Sequence, residues 1–202
     1  MATNAFVHLE NTDDTQRLSD YTSVRVDLLC VLEYASELQK NGYNLGTYVE
    51  PLMIAAIIKY GRVFSGGIRR VSLYEQRYVV LAPQQIAFHE RLMAIRDKHI
   101  AHSVNSYEES QPIARYWVER VEQEGISSIE CQHTRVACLS TVEIESIIDL
   151  AKTWVQFVDT KIAEEEREIL EIVRKIPIEQ ILKNAPKAPL SNVGTPDKRR
   201  KN

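Results

Sequence analysis

A long run of apolar residues at helical spacing, in the last third of the chain, constrains the fold more than any other feature. Ser140 and Glu143 have the spacing of a capping box, so a helix is predicted to begin there. Pro177 is predicted to end it, because proline cannot continue a helix. Between them the apolar residues recur every three or four positions and form one continuous seam. The seam consists of Ile144, Ile147, Ile148, Ala151, Trp154, Val155, Val158 and Ile162.

Three further segments are predicted to be helices. The first runs from Asp20 to Gln39 and ends at Asn41-Gly42, where glycine lets the chain turn through positive φ. The second has capping-box spacing at Thr47 and Glu50. The third begins at Pro83, in a first turn that tolerates proline, and frays near residues 102–105.

Two segments rich in β-branched and aromatic residues, Ile113–Val121 and Ile126–Cys138, predict strands, with Glu124-Gly125 as the turn between them. The connection Ile68–Ala82 is open to two interpretations, an irregular loop or a short helix that turns extended. The predicted fold class is therefore mainly α: an antiparallel helical bundle with a small β-hairpin insertion.

Length and charge predict one domain followed by a tail. A chain of 202 residues that is 44% hydrophobic can bury one substantial core, which we assign to residues 1–186. Residues 187–202 carry five cations and one Asp, a net +4, and we expect this segment to be a disordered basic tail. The whole chain has a net charge of -3, which gives no general signal for nucleic acid or membrane. Residues 1–186 therefore carry -7.

The cysteines and the apolar runs predict a cytoplasmic protein with no membrane partner. Cys30, Cys131 and Cys138 form no CxxC pair and no zinc-finger spacing, and an odd number without a framework fits a reducing compartment. The apolar runs are too short to span a bilayer, and the first twenty residues lack the features of a secretory signal.

The candidate site is the stretch Phe88–Ser103 at the end of the third helix. Its apolar face continues into His99 and His102, and Arg96 and Asp97 lie just to one side. Imidazole exchanges protons near neutral pH, and guanidinium forks onto phosphate. Such a pair can cleave a phosphodiester in RNA without a metal, because RNA carries its own nucleophile, the 2′-hydroxyl. We expect no cofactor and no metal.

Helical geometry complicates this pairing. Arg96 and His102 are six residues apart and point about 120° apart in a regular helix, whereas His99 is the easier partner for Arg96 at i+3. Arg96 and His102 can meet if the helix ends near Ala101 or if a second copy of the helix packs alongside. The sequence thus hints at a composite site in a homodimer.

Two other interpretations remain open for these residues. The stretch Arg96–Lys98 can be a charged helix surface, with His99 and His102 bonded to the last carbonyls of the helix. A zinc site would use His89 with those two histidines, but their spacing differs from the usual His-x-x-x-His.

Four arginines precede the third helix and fit either a solvated loop or phosphate contact. They are Arg62, Arg69, Arg70 and Arg77.

The segment Arg96-Asp-Lys-His-Ile-Ala-His102 resembles the Arg-x(4–6)-His motif of HEPN domains, small helical domains of bacterial toxins, phage-defence systems and CRISPR-associated nucleases. The resemblance implies a dimer in which two motifs face each other and form one metal-independent ribonuclease site. Arg96 and His102 would be the catalytic pair, with Asp97 in support. An antitoxin or a defence-system component is the further partner that it implies.

Five residues are the candidates for RNA contact around that pair. They are Lys98, His99, Arg62, Arg69 and Arg70. Some HEPN proteins are binding or scaffolding domains, so the alternative function is a non-catalytic, dimeric helical binding module.

Overall fold

The computed structural model describes most of the chain. The described residues are 7, 9–10, 12–65, 69–97, 108–120, 122, 125–135 and 139–185. Within them are six α-helices and one antiparallel pair of strands, which confirms the predicted fold class. The helices are α1 (Asp13–Asn41), α2 (Val49–Arg62), α3 (Arg77–Val80), α4 (Pro83–Ile95), α5 (Thr141–Val173) and α6 (Ile178–Asn184). The strands are β1 (Glu108–Tyr116) and β2 (Ile126–Arg135).

Helices α1 and α5 form the centre of the fold and run antiparallel. Arg17 of α1 pairs with Glu165 of α5 (Nε–Oε1 2.9 Å), and Arg25 pairs with Asp159 (Nε–Oδ1 2.5 Å), so the two helices are traversed in opposite directions. The predicted stripes of both helices meet in one core, which also takes in α2 and α4. Its fully buried members include Val24, Leu28, Val31, Tyr60, Leu92, Ile147, Trp154 and Val158. Each such aliphatic side chain contributes about 1.5–3 kcal/mol by leaving water.

Helix α1 begins seven residues earlier than predicted. Thr12 and Thr15 exchange hydrogen bonds in the manner of a capping box, with the Thr12 amide donating to Thr15 Oγ1 at 2.8 Å. Asp13 and Asp14 then lie in the first turn, where the helix dipole favours negative charge. The polar residues before the predicted start are therefore the first turns of the helix.

The predicted capping box at Thr47 and Glu50 is wrong. Residues 42–48 form a 3₁₀ segment broken at Gly46 (φ 54°), and Tyr48, the residue before α2, makes no side-chain cap. Tyr48 has helical torsion angles (φ -86°, ψ -12°), whereas a capping residue needs an extended backbone. Positive φ is likewise found at Gly46 rather than at the predicted Gly42.

The connection before α4 contains the short helix α3, after which Leu81 is extended (φ -96°, ψ 141°). This matches the second of the two interpretations of the connection. The regular part of α4 ends at Ile95. Arg96 continues the backbone hydrogen bonding of the helix, because its amide donates to the carbonyls of Leu92 and Met93. The predicted frayed end at residues 102–105 lies outside the described residues.

The hairpin is confirmed, but its first strand begins five residues before its predicted start and its second strand ends three residues before its predicted end. Strand β1 begins at Glu108 and pairs with β2 in one register from Glu108↔Arg135 to Arg115↔Ser128, after which the register shifts by one residue to Tyr116↔Ile126. Gly125 supplies the turn at φ 61°, as predicted. Nearly all described side chains of the hairpin are exposed, so neither face has the strict apolar alternation that would mark its start.

The capping box of α5 is confirmed, and its end is slightly corrected. The Glu143 amide donates to Ser140 Oγ, and the Ser140 amide donates to Glu143 Oε2 at 2.8 Å. The last helical residue is Val173, four before Pro177. Among the helices described, none is both long enough and apolar enough to cross a membrane.

We predict that Ser140→Ala lowers the free energy of unfolding by about 1 kcal/mol, because the Glu143 amide loses its acceptor and the Glu143 carboxylate loses the hydrogen bond from Ser140 Oγ. Ser146→Ala is the matched control within the same helix, since its hydroxyl only donates back to the Val142 carbonyl, and we expect a change of less than about 0.5 kcal/mol. Urea unfolding of both variants checks this. Equal losses would show that the cap adds nothing to stability.

Candidate functional site

Arg96 and Asp97 lie together at the end of α4, against the last turn of α2. Arg96 donates from Nη1 to the Gly61 carbonyl (3.0 Å) and to Ser65 Oγ. Its Nε and Nη2 both contact Asp97 Oδ1, at 2.7 and 2.5 Å. The Arg96 side chain is 26% exposed and that of Asp97 is 55% exposed. The guanidinium is therefore fixed in place at the surface.

Gly61 provides the space in which Arg96 lies. A Cβ atom added at Gly61 would overlap Cδ of Arg96 and approach Nε and Nη1 to 3.2 Å. The Ser65 hydroxyl donates to the same Gly61 carbonyl at 2.8 Å, so two side chains satisfy one carbonyl at the end of α2. The absence of a side chain at Gly61, rather than backbone flexibility, is what the contact requires.

We predict that Gly61→Ala destabilises the protein by about 1–3 kcal/mol, because the new methyl group overlaps the Arg96 side chain. In an Arg96→Ala background the sign should reverse. There the substitution should stabilise α2 by about 0.5–1 kcal/mol, because alanine is the better helix former. Chemical denaturation of the four proteins in a double-mutant cycle measures this. Destabilisation of similar size in both backgrounds would show that Gly61 and Arg96 do not interact in this way.

A second group of charges surrounds Asp27 of α1, whose side chain is only 4% exposed. Lys59 Nζ lies 2.9 Å from Oδ1, Arg69 Nη2 lies 2.6 Å from Oδ2, and Arg62 Nε lies 3.6 Å from Oδ2. We call Asp27, Lys59, Arg62 and Arg69 the Asp27 cluster. Burial raises the pKa of Asp27, but the hydrogen bonds from Lys59 and Arg69 and the charge of Arg62 outweigh it and hold the pKa below its ordinary value.

Arg70 is directed away from both groups. Its guanidinium pairs with Asp13 at the start of α1, and its amide donates to Asp20 Oδ2 at 2.7 Å. The adjacent Arg69 binds Asp27 instead. Asp27 lies fourteen residues after Asp13 on α1, which is about 20 Å along the helix axis. Arg70 is thus paired with carboxylates of α1, which fits the interpretation of these arginines as part of a loop.

Arg77 is also engaged within the protein. Its buried guanidinium lies 3.7 Å from the ring centroid of Tyr74 and 4.1 Å from that of Tyr78, and its Nε lies 3.2 Å from Glu90 Oε1. It fastens α3 to α4, as a structural arginine does.

His89 is buried in the core. Its Nδ1 lies 2.8 Å from the Tyr60 hydroxyl, and its ring packs edge-on against Phe64 with centroids 4.6 Å apart. Within the described residues Nε2 has no hydrogen-bond partner. Burial lowers the pKa of His89, while the charge of Glu90 opposes this and that of Arg77 adds to it. These contacts give His89 a role in packing, and the described residues contain no group of three metal-binding side chains.

We predict that stability falls as the pH drops below about 6.5, the ordinary pKa of histidine. Because the folded pKa of His89 is lowered, the unfolded chain binds the proton first. Acid therefore favours unfolding, by up to about 1.4 kcal/mol per pH unit until the folded pKa is reached. Unfolding free energies of the wild type and His89→Gln between pH 5 and 8 check this. The glutamine variant should have the shallower pH dependence, and parallel curves would contradict the assignment.

The structure thus brings together two sets of sequence-predicted residues on opposite sides of the last turn of α2. Arg96 and Asp97 lie on one side, and Arg62 and Arg69 lie on the other. Lys98, His99 and His102 lie outside the described residues. Sequence reasoning missed Asp27, Lys59 and Gly61, although Asp27 falls on the apolar stripe between Val24 and Val31, which was a usable signal.

Comparison with known proteins finds no matching family model, curated protein or solved structure for this chain.

Proposed function

We propose that the protein is a metal-independent RNA endonuclease of the toxin or antiviral-defence type, with Arg96 and His102 as the catalytic pair in a homodimer. The observation that carries the proposal is the position of Arg96. Its guanidinium is held by Gly61 and Ser65 at the end of α4, beside the exposed carboxylate of Asp97. A guanidinium held in this way needs little reordering to meet a phosphate.

The proposed reaction is an in-line attack of the 2′-hydroxyl on the adjacent phosphorus. The 2′-oxygen–phosphorus bond forms as the phosphorus–5′-oxygen bond breaks, which leaves a 2′,3′-cyclic phosphate and a 5′-hydroxyl. One His102 accepts the proton of the 2′-hydroxyl, and the His102 of the second copy donates a proton to the leaving oxygen. Arg96 stabilises the charge that develops on the phosphate oxygens, and Asp97 orients the Arg96 guanidinium.

Flanking cations would bind phosphate groups of the RNA. Arg62, on the last turn of α2, and Arg69, on the connection after it, complete the phosphate contacts together with Lys98 and His99. Arg70 is the weakest of the proposed contacts, because its guanidinium is engaged by Asp13. An antitoxin or a defence-system component is the proposed regulator, and the cytoplasm is the proposed compartment.

We expect His102→Ala and Arg96→Ala to abolish RNA cleavage, a loss of at least about a hundredfold for each. Arg96→Lys should also be inactive, because lysine keeps the charge but lacks the planar guanidinium that binds phosphate through two N–H groups. Arg91→Ala is the control: this arginine lies on the same helix, is paired with Glu143, and should retain full activity. Gel-resolved cleavage of total RNA, with circular dichroism to confirm the fold, gives the readout. Full activity in either alanine variant would refute the catalytic pair.

The second candidate is a non-catalytic, dimeric helical binding module. One observation favours it: Nε, Nη1 and Nη2 of Arg96 all have partners within the chain, so the side chain already joins α4 to α2. Cleavage assays with EDTA separate the two functions. Persistent cleavage supports the metal-independent nuclease, and no cleavage at any protein concentration supports the module.

A further inference from the structure

The Asp27 cluster contains more positive charge than its carboxylate can neutralise. Lys59, Arg62 and Arg69 are three cations around one carboxylate, which leaves a net charge of +2. In the part of the chain that the structure describes, every ion pair recorded for these three side chains ends on Asp27. Three cations held this close repel one another, and a bound anion would offset that repulsion.

Two of the cations also retain unused hydrogen-bond donors. Lys59 and Arg69 bond Asp27 directly, whereas Arg62 approaches it only at 3.6 Å, is 55% exposed and has no hydrogen bond recorded to another described residue. Arg69 bonds Asp27 and Ser23 through Nη2, while its Nη1 is buried with no acceptor among the described residues. A guanidinium has five N–H groups, so donors remain for a further acceptor.

We propose that the Asp27 cluster binds the terminal phosphate of an RNA strand, with Arg62 as its principal contact. A phosphate monoester carries about -1.5 to -2 at neutral pH and three acceptor oxygens, which matches the excess charge of +2. A phosphodiester within a strand carries only one negative charge and would leave a cation uncompensated. Guanidinium is the side chain that best matches the geometry of phosphate oxygens.

This inference rests on the proposed function for the identity of the bound strand. Arg62 directly follows Gly61, whose carbonyl accepts a hydrogen bond from Arg96. A strand end held at Arg62 would therefore have to pass around this turn of α2 to reach Arg96. Terminal phosphate would then select the strands that enter the cleavage site and fix the distance from the end at which they are cut.

The test uses full-length protein and a 2′-O-methyl oligoribonucleotide, which cannot be cleaved because its nucleophile is blocked. Three forms of one sequence are compared by fluorescence anisotropy: with a 5′-phosphate, with a 3′-phosphate, and with two hydroxyl ends. We expect one phosphorylated form to bind about tenfold more tightly than the hydroxyl form, the equivalent of one charge-assisted hydrogen bond. The phosphorylated form that binds more tightly than the hydroxyl form identifies the strand end that is recognised.

Arg62→Gln should remove this preference while leaving the melting temperature nearly unchanged, because the side chain is mostly exposed. Arg25→Gln is the matched control, an exposed arginine of α1 paired with Asp159, and it should keep the preference. Equal affinity for all three oligonucleotides, or a preference that survives in Arg62→Gln, would overturn the proposal. So would inorganic phosphate alone raising the melting temperature as much as the phosphorylated oligonucleotide does, since the site would then take free phosphate.

The outcome is independent of catalysis. A preference for phosphorylated ends in a protein that cleaves no RNA would support the Asp27 cluster and contradict the nuclease. Cleavage that proceeds equally on phosphorylated and hydroxyl-ended RNA, with no binding preference, would support the nuclease and overturn the end-binding site.

Discussion

The buried carboxylate of Asp27 is the constraint on which the arrangement of the candidate site depends. A carboxylate withdrawn from water costs several kcal/mol unless cations and hydrogen bonds compensate it. Here the compensation comes from outside α1, from Lys59 and Arg62 on α2 and from Arg69 on the connection to α3. Satisfying one side chain on the central helix therefore fixes the end of α2 and the path of the chain after it.

The last turn of α2 distributes four different contacts over four consecutive residues. Lys59 and Arg62 face Asp27, Tyr60 enters the core and bonds His89, and Gly61 receives Arg96. Successive residues of a helix point about 100° apart, so this turn can hold α1 on one side and α4 on another. The contacts at Tyr60 and Gly61 both hold α4, one in the middle of that helix and one at its end. These two contacts hold α4 against the last turn of α2.

The sequence predicted the parts of the fold that depend on local periodicity and local hydrogen bonding. The stripes of α1 and α5 and the Ser140 cap are of this kind, because spacing along the chain determines them. The Gly61–Arg96 contact joins residues 35 apart, and its steric basis is the lack of a Cβ atom, which no pattern in either segment reveals. The start of β1 at Glu108 was missed because strand pairing with β2, rather than burial, holds that segment extended.

The bonding of Arg96 bears on both candidate functions. A guanidinium has five N–H groups, and the four recorded contacts to Gly61, Ser65 and Asp97 leave one of them on Nη2. In a purely structural arginine one N–H group without a protein acceptor is ordinary. In a catalytic arginine an incoming phosphate would compete with Asp97, whose exposed carboxylate can be solvated by water when it is displaced. The Gly61 and Ser65 contacts would persist through that exchange, so the same anchor that joins two helices would also keep the charge in position for catalysis.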